Sequence, residues 1–167
     1  MNKIFLLFYA LTFTTGTVIA QKIIPIEYKG KKYEAIDMKS SFKITWGGYH
    51  NEIPGKAARS KSNGAANTTA IVAAVGDNTL FDGKIYAAKF CSDTSIGNKD
   101  DWYLPGMDEA DAIYAFKQKF SVPEKGSIWT STEFSATQAV TKYWYNGTFY
   151  NSMKVDQFHL VCIRKVD

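Results

Sequence analysis

The chain has 167 residues, a formal net charge of +4 and 15% aromatic residues, which fits one globular domain and leaves little room for two. Positive charge is concentrated near one end, since residues 21–66 carry nine Lys or Arg against four Asp or Glu. This density is below that of a nucleic-acid-binding patch, so no nucleic-acid partner is expected. The excess of positive charge fits a solvent-exposed face of the domain. The alternative is a surface that weakly attracts anionic surface polymers.

Residues 1–20 have the pattern of a signal peptide. Lys3 precedes an apolar run over residues 4–11, and Val18-Ile19-Ala20 precede a cleavage site before Gln21. The run is too short for a good membrane span, which needs about 20 apolar residues, so an uncleaved anchor is the weaker alternative. We therefore expect an exported protein, secreted, periplasmic or at the cell surface, with no membrane span after cleavage.

Strand patterns open the part of the chain that follows. Residues 23–28 and 32–36 are predicted strands, joined by a turn at residues 29–31, and residues 42–46 form a third. A long surface loop is predicted from Gly47 to Gly64, suited to binding or to mobility. The expected organisation is a strand pair and extension over residues 21–43, followed by the main domain over residues 44–167.

Three helices are predicted next. Asn67 is placed to cap a helix through residues 70–75 that ends at Gly76. A second helix is expected over residues 84–92. A third is expected over residues 107–120, because its acidic first turn and basic last turn suit the helix dipole.

The last third of the chain is predicted as strands over residues 127–131, 140–145, 148–151 and 158–164. Asn146-Gly147 between two aromatic segments is a strong hairpin signal. A two-residue loop would place Trp144 opposite Phe149 on the core side, and tyrosines on the other side. The candidate ligand-binding residues are Tyr143, Tyr145, Tyr150 and Asn146. The alternative is that these tyrosines pack beneath the 47–64 loop. The fold class expected is α+β.

Cys91 and Cys162 are the only cysteines. In an exported chain, one disulfide is the simplest interpretation. A metal site would need more ligands than these cysteines with His50 and His159 clearly offer, and a nucleophilic cysteine would need a nearby base that the sequence does not indicate. We expect no metal and no cofactor, since no phosphate loop or dinucleotide fingerprint is present.

Catalysis is not expected either. The clustered carboxylates, Asp100-Asp101 and the acidic residues at 108, 109 and 111, could in principle serve a glycosidase, which needs two carboxylates across one cleft. Their positions favour structural roles, because the first pair precedes Trp102 in a turn and Asp108 begins a helix. No catalytic residue is therefore assigned.

Several short motifs in order resemble the Lcl C-terminal-domain family, a widespread bacterial domain. The motifs cover residues 45–165 and include Trp46-Gly47-Gly48-Tyr49, Ala87-Ala88-Lys89-Phe90-Cys91, Asp101-Trp102-Tyr103-Leu104-Pro105, Ile128-Trp129-Thr130-Ser131-Thr132-Glu133, Tyr143-Trp144 and Leu160-Val161-Cys162-Ile163-Arg164. The chain departs from the family at Tyr103, where a basic residue is common.

The resemblance implies a C-type-lectin-like fold, with two to three helices, a looped and mostly antiparallel sheet, and a disulfide from Cys91 in a helix to Cys162 in the last strand. It brings no reaction with it, and the calcium-binding motifs of sugar-binding lectins are missing from the sequence. The structural motif residues are Trp102, Pro105, Trp129, Glu133 and Trp144. Glu133 is expected to be buried and to accept backbone hydrogen bonds from a loop.

The function expected is that of an exported, non-catalytic binding module for a surface glycan or protein ligand. One alternative is a structural envelope or appendage subunit that associates with its own kind. A less favoured alternative is a polysaccharide-directed hydrolase.

Overall fold

A computed structural model describes residues 22–77 and 85–166. The predicted signal peptide lies outside the described residues. The strands are β1 Lys22–Tyr28, β2 Lys31–Asp37, β3 Lys43–Ile44, β4 Ser127–Glu133, β5 Gln138–Tyr143, β6 Phe149–Met153, β7 Phe158–His159 and β8 Val161–Val166. The helices are α1 Gly64–Val75, α2 Ala87–Asp93 and α3 Met107–Ala115.

The strands form two sheets, one of three strands in the order β1-β2-β8 and one of five in the order β3-β7-β4-β5-β6. All neighbours are antiparallel except β4 and β7. Helix α3 packs against β1, β4 and β5, and α1 against α2 and β4. The protein therefore has an α+β fold, as predicted.

The N-terminal strand pair is built into the same core as the end of the chain. Strand β2 pairs with β8, so that Ala35 lies opposite Ile163 and Ile36 opposite Cys162. Ile24 on β1 is also buried, in the same hydrophobic cluster as Ala35 and Ile163. Residues 22–37 thus contribute directly to the fold of the main domain.

Helix α1 begins four residues earlier than predicted. Its cap is Asn63, whose side chain accepts a hydrogen bond from the Ala66 N–H at 3.0 Å. Asn67, the predicted cap, lies inside the helix and is fully buried. Its side-chain nitrogen donates to the Ser60 carbonyl at 2.7 Å. Asn67 therefore ties the preceding loop to the helix.

The disulfide expected from the cysteine count is confirmed. Cys91 on α2 and Cys162 on β8 are bonded, with their Cα atoms 5.4 Å apart and a sequence separation of 71. Both residues are fully buried in the larger of the two hydrophobic clusters. The bond thus fixes α2 against the last strand in the interior.

Several predicted boundaries were wrong. The single strand predicted over residues 158–164 is two strands in different sheets, because His159 pairs with Lys43 whereas Val161 pairs with Asp37. The third strand is reduced to residues 43–44. Helix α3 ends at Ala115 and a 3₁₀ turn follows over Lys117–Lys119, after which Phe120 is buried.

The second helix has a described span that begins at residue 87, later than the predicted residue 84, which lies outside the described residues. The predicted surface loop after Gly47 contains a 3₁₀ turn at Pro54–Lys56. Within the described ranges, no helix is long and apolar enough to cross a membrane.

Candidate ligand-binding site

The hairpin between β5 and β6 has a four-residue loop, not the predicted two-residue loop. Lys142 lies opposite Phe149 and Thr141 opposite Tyr150, and the Tyr143 N–H donates to the Thr148 carbonyl at 2.8 Å. The pairing is thus shifted by two residues from the predicted register. A shift of two leaves every side chain on its expected face, because strand side chains alternate with a period of two.

Trp144 explains the longer loop. It leaves the strand and is 3% exposed, with its ring edge-on to Tyr114 and Phe120 at centroid distances of 5.8 and 6.1 Å. Its backbone N–H donates to the Gly126 carbonyl at 2.8 Å. Trp144 is buried as predicted, but Phe149 is only half-buried and lies opposite Lys142 rather than Trp144.

The three predicted tyrosines come together on one surface, called here the tyrosine face. The Tyr143 ring lies 6.2 Å from that of Tyr145 and 6.0 Å from that of Tyr150. Tyr145 is 58% exposed and Tyr150 is 50% exposed, whereas Tyr143 is half-buried and less exposed than either. Such exposure means that Tyr145 and Tyr150 do not pack beneath the 47–64 loop.

A buried lysine braces the turn that carries these tyrosines. Lys142 is 2% exposed, and its Nζ donates to Asp111 Oδ1 and to the Gly147 carbonyl, each at 2.6 Å. The same Nζ lies 4.0 Å from the centroid of the Phe149 ring. Because its charge is paired and hydrogen-bonded, Lys142 can remain in this position. The sequence pattern did not identify it.

Helix α3 and the 3₁₀ turn that follows it hold the hairpin turn from the same side. The Tyr114 hydroxyl and the Lys117 Nζ each donate to the Tyr145 carbonyl at 3.3 Å. Gly147 has a φ of +73°, and a Cβ added there would lie 2.6 Å from the Tyr114 ring. Glycine is therefore needed for both the conformation and the close approach. The turn is held in one shape before any ligand arrives.

Asn146, the fourth predicted ligand residue, is exposed but has a role within the turn. Its Oδ1 accepts a hydrogen bond from the Thr148 N–H at 3.0 Å, an arrangement common for Asn in turns. Its side-chain NH₂ group is the part left for a ligand.

The other motif residues have structural contacts. Trp102 and Trp129 are buried, and their ring nitrogens donate to the Lys99 carbonyl at 3.0 Å and the Ile44 carbonyl at 2.8 Å. The carbonyl of the buried Pro105 accepts from the Ser131 N–H at 2.7 Å. Pro105 thus holds the chain before α3 against β4, Trp129 joins β4 to β3, and Trp102 closes its own loop.

Glu133 is buried and accepts a loop hydrogen bond, as predicted. Its Oε1 accepts from the Ile53 N–H at 3.0 Å and from Lys154 Nζ at 2.7 Å. Lys154 is fully buried as well, and it also donates to the Asn51 carbonyl at 2.9 Å. Burial lowers the pKa of Lys154, which the Glu133 carboxylate opposes. The 47–64 loop is thus anchored by an ion pair that the sequence did not reveal.

Glu109 is buried in the first turn of helix α3, and its carboxylate accepts three hydrogen bonds. Its Oε2 accepts from the N–H groups of Gly106 at 2.8 Å and Gly64 at 3.0 Å, and its Oε1 accepts from the Tyr103 hydroxyl at 2.9 Å. Burial raises the pKa of Glu109, and these hydrogen bonds oppose the rise. The contacts join the first turns of α1 and α3, which is a structural role.

The remaining clustered carboxylates divide into paired and exposed groups. Asp101 Oδ2 accepts from the Arg164 guanidinium at 2.9 Å, and Asp111 is the partner of Lys142. Asp100 and Asp108 are exposed. Of the two histidines, His50 is exposed and His159 is buried. Among the residues that the structure describes, no group of three or more His, Cys, Asp or Glu side chains is placed to hold a metal ion.

A cleft of about 340 Å³ adjoins the buried side of the turn, lined by Lys117, Gln118, Phe120, Val122, Glu124 and Trp144. Unlike the tyrosine face, its lining combines a cation and an anion.

Comparison of the sequence with models of known protein families gives no match, and comparison with curated proteins gives none either.

Proposed function

We propose that the chain is an exported, non-catalytic binding module that recognises a surface glycan or protein ligand through the tyrosine face. The observation that carries the proposal is the meeting of three tyrosine rings at about 6 Å spacing on a braced turn. Two of the rings are at least half exposed.

Tyrosine suits such a surface because its ring is apolar and its hydroxyl can hydrogen-bond. The rings can lie against the apolar side of a sugar or a protein side chain, while the hydroxyls contact its polar groups. Lys142, Tyr114 and Lys117 hold the turn from below. Less conformational entropy is then lost on binding, because the turn is already ordered.

A C-type-lectin-like fold is part of the proposal. It is supported by the ordered motifs that resemble the Lcl C-terminal-domain family and by a disulfide from a helix to the last strand. At Tyr103, where that family often has a basic residue, the hydroxyl donates to Glu109.

The absence of catalysis is also proposed. Its support is that the buried carboxylates, Glu109 and Glu133, are used to hold helices and a loop together. A glycosidase would need one such group as an acid facing a substrate cleft. Neither residue lines the cleft beside Trp144.

A glycan array, read with and without a calcium chelator and repeated with surface-protein extracts, tests the proposal. The variants are Tyr145→Ala and, as a control, Phe134→Ala, which removes another aromatic residue that is 51% exposed. Tyr145→Ala should weaken binding by more than about 1 kcal/mol, the usual hot-spot threshold, and Phe134→Ala should not. Equal losses in both variants, or binding that Tyr145→Ala leaves intact, would refute the assignment.

A further inference from the structure

Strand β6 differs from the other sheet edges of this protein. Strand β1 carries Pro25 and charged residues at Lys22 and Glu27, and β3 is only two residues long. The outer side of β8 is covered by Tyr103, which exchanges two backbone hydrogen bonds with Ile163, both of 2.9 Å. Proline, shortness, charge and coverage are the usual protections of sheet edges.

Strand β6, Phe149–Met153, has none of these protections in the described structure. Its five residues, FYNSM, contain no charge and no proline, and its register with β5 is continuous over its whole length. Five large hydrophobic residues are exposed in the described part of the chain, and three of them lie on β6 or near its ends, namely Tyr145, Tyr150 and Val155. An open, neutral edge of this kind is a template for another strand.

The hydrogen bonds at the two ends of the hairpin show which backbone groups are open. The Tyr143 N–H donates to the Thr148 carbonyl at 2.8 Å, and the Lys154 N–H donates to the Thr137 carbonyl at 2.9 Å. Because hydrogen-bonded pairs alternate along an antiparallel ladder, the backbone N–H and carbonyl groups of residues 148, 150, 152 and 154 point towards β5. Residues 149, 151 and 153 therefore direct their backbone groups outward.

Within the described ranges, one outward group already has a partner. The Met153 carbonyl accepts from the Asp156 N–H at 2.9 Å, and it keeps a second lone pair. The other outward groups are the N–H groups of residues 149, 151 and 153 and the carbonyls of Phe149 and Asn151. They lie in a row along the edge.

We propose that β6 pairs antiparallel with β6 of a second copy of this chain, on a two-fold axis at Asn151. In this register Asn151 lies opposite Asn151 of the second copy, and Phe149 lies opposite Met153 at both ends. All the outward residues then form hydrogen-bonded pairs. The strand is self-complementary, since it carries no charge that would meet its like and its apolar ends meet each other.

Such pairing would join the two five-stranded sheets into one. The two-fold axis of an antiparallel pair is perpendicular to the sheet, so both tyrosine faces would lie on the same side, with Tyr150 across from Ser152 of the second copy. A polymeric ligand could then contact both faces, which raises avidity without any new contact. A pair of strands buries less than the 1,200–2,000 Å² or so of standard interfaces, so the dimer should form reversibly with concentration.

Sedimentation velocity of the purified chain from about 10 μM to 1 mM tests the proposal, because this range brackets weak dimers. Asn151→Lys and Asn151→Glu each place like charges opposite one another at the axis. Each should weaken dimerisation at least tenfold, whereas an equal mixture of the two should dimerise again as a Lys–Glu pair. Ala74→Lys, on an exposed position of α1, adds the same charge elsewhere and should dimerise as the unmodified chain does.

Three results would each overturn the proposal. The unmodified chain could stay monomeric throughout the concentration range. The charged variants could dimerise as well as the unmodified chain, or the mixture of the two charged variants could fail to dimerise. Tyr145→Ala should dimerise normally, because residue 145 lies outside β6. Loss of ligand binding and loss of dimerisation are therefore separable, and one proposal can fail without the other.

Discussion

Replacing Lys154 with Met should destabilise the protein strongly. Lys154 and Glu133 are both fully buried at their side chains, with Nζ and Oε1 2.7 Å apart. Lys154 Nζ also donates to the Asn51 carbonyl at 2.9 Å and lies 4.6 Å from the centroid of the Trp46 ring. Methionine fills a similar volume but can neither donate a hydrogen bond nor carry the charge.

The magnitude follows from what Lys154→Met leaves behind. The Glu133 carboxylate remains buried without its main partner, and removing one member of a buried ion pair typically costs about 3–5 kcal/mol. Arg59 lies nearby, with its Nε 3.8 Å from Glu133 Oε2, so partial compensation places the expected loss near the lower end of that range. Adding Glu133→Gln should recover part of the loss, because the amide oxygen still accepts from the Ile53 N–H.

Urea unfolding, followed by tryptophan fluorescence with the disulfide intact, measures the free energy of unfolding of each variant. Lys125→Met is the control, since Lys125 is exposed and surface substitutions usually change stability by within about 0.5 kcal/mol. The reasoning would be refuted if Lys154→Met cost less than about 1 kcal/mol, or if the double variant were less stable than the single one.

Three further predictions concern stability. Replacing both cysteines with serine should lower the free energy of unfolding by roughly 4 kcal/mol in the chain-entropy account, given the separation of 71 positions; a loss near zero in urea unfolding would contradict it. Gly47→Ala should lower the free energy of unfolding by about 1–3 kcal/mol, because Gly47 has a φ of +98° and a Cβ would lie 2.7 Å from the Tyr86 ring. Gly55→Ala is the control: its Cβ would meet no atom within 4 Å, so it shows the cost of a positive φ alone. Burial, reinforced by the charge of Lys43, lowers the pKa of His159 from 6.5. The stability that the neutral imidazole contributes is therefore complete above pH 6.5 and is lost as the pH falls towards the folded-state pKa. The thermal midpoint of the unmodified chain should fall more between pH 7 and pH 5 than that of His159→Gln, and parallel falls would contradict this.

The features that the sequence predicted well depend on local patterns. The first strand pair follows from alternating apolar residues on either side of Lys29-Gly30, and it is observed over residues 22–37. Gly76 ends α1 as expected and adopts a φ of +60°. The disulfide required only a count of cysteines and an assumed compartment.

The features that were missed depend on partners distant in sequence. The hairpin register differs from the prediction because Trp144 packs against Tyr114 on α3 and Phe120 just after it. Lys142 and Lys154 are buried because Asp111 and Glu133 lie beside them, and the sequence neighbours of the two lysines give no local sign of these partners. The tyrosine face itself was predictable because a shift of two residues preserves the faces of a strand.

The most direct test of the tyrosine face is an NMR titration of the chain with the ligand that the array identifies. Specific labelling of the tyrosine rings makes Tyr143, Tyr145 and Tyr150 observable together with the buried Tyr33, Tyr86 and Tyr103 as internal references. Binding through the tyrosine face should shift the ring signals of the first three residues in one saturable curve and leave the buried tyrosines unchanged. Saturable binding that leaves those three signals unmoved would show that the ligand binds elsewhere and would contradict the proposed function.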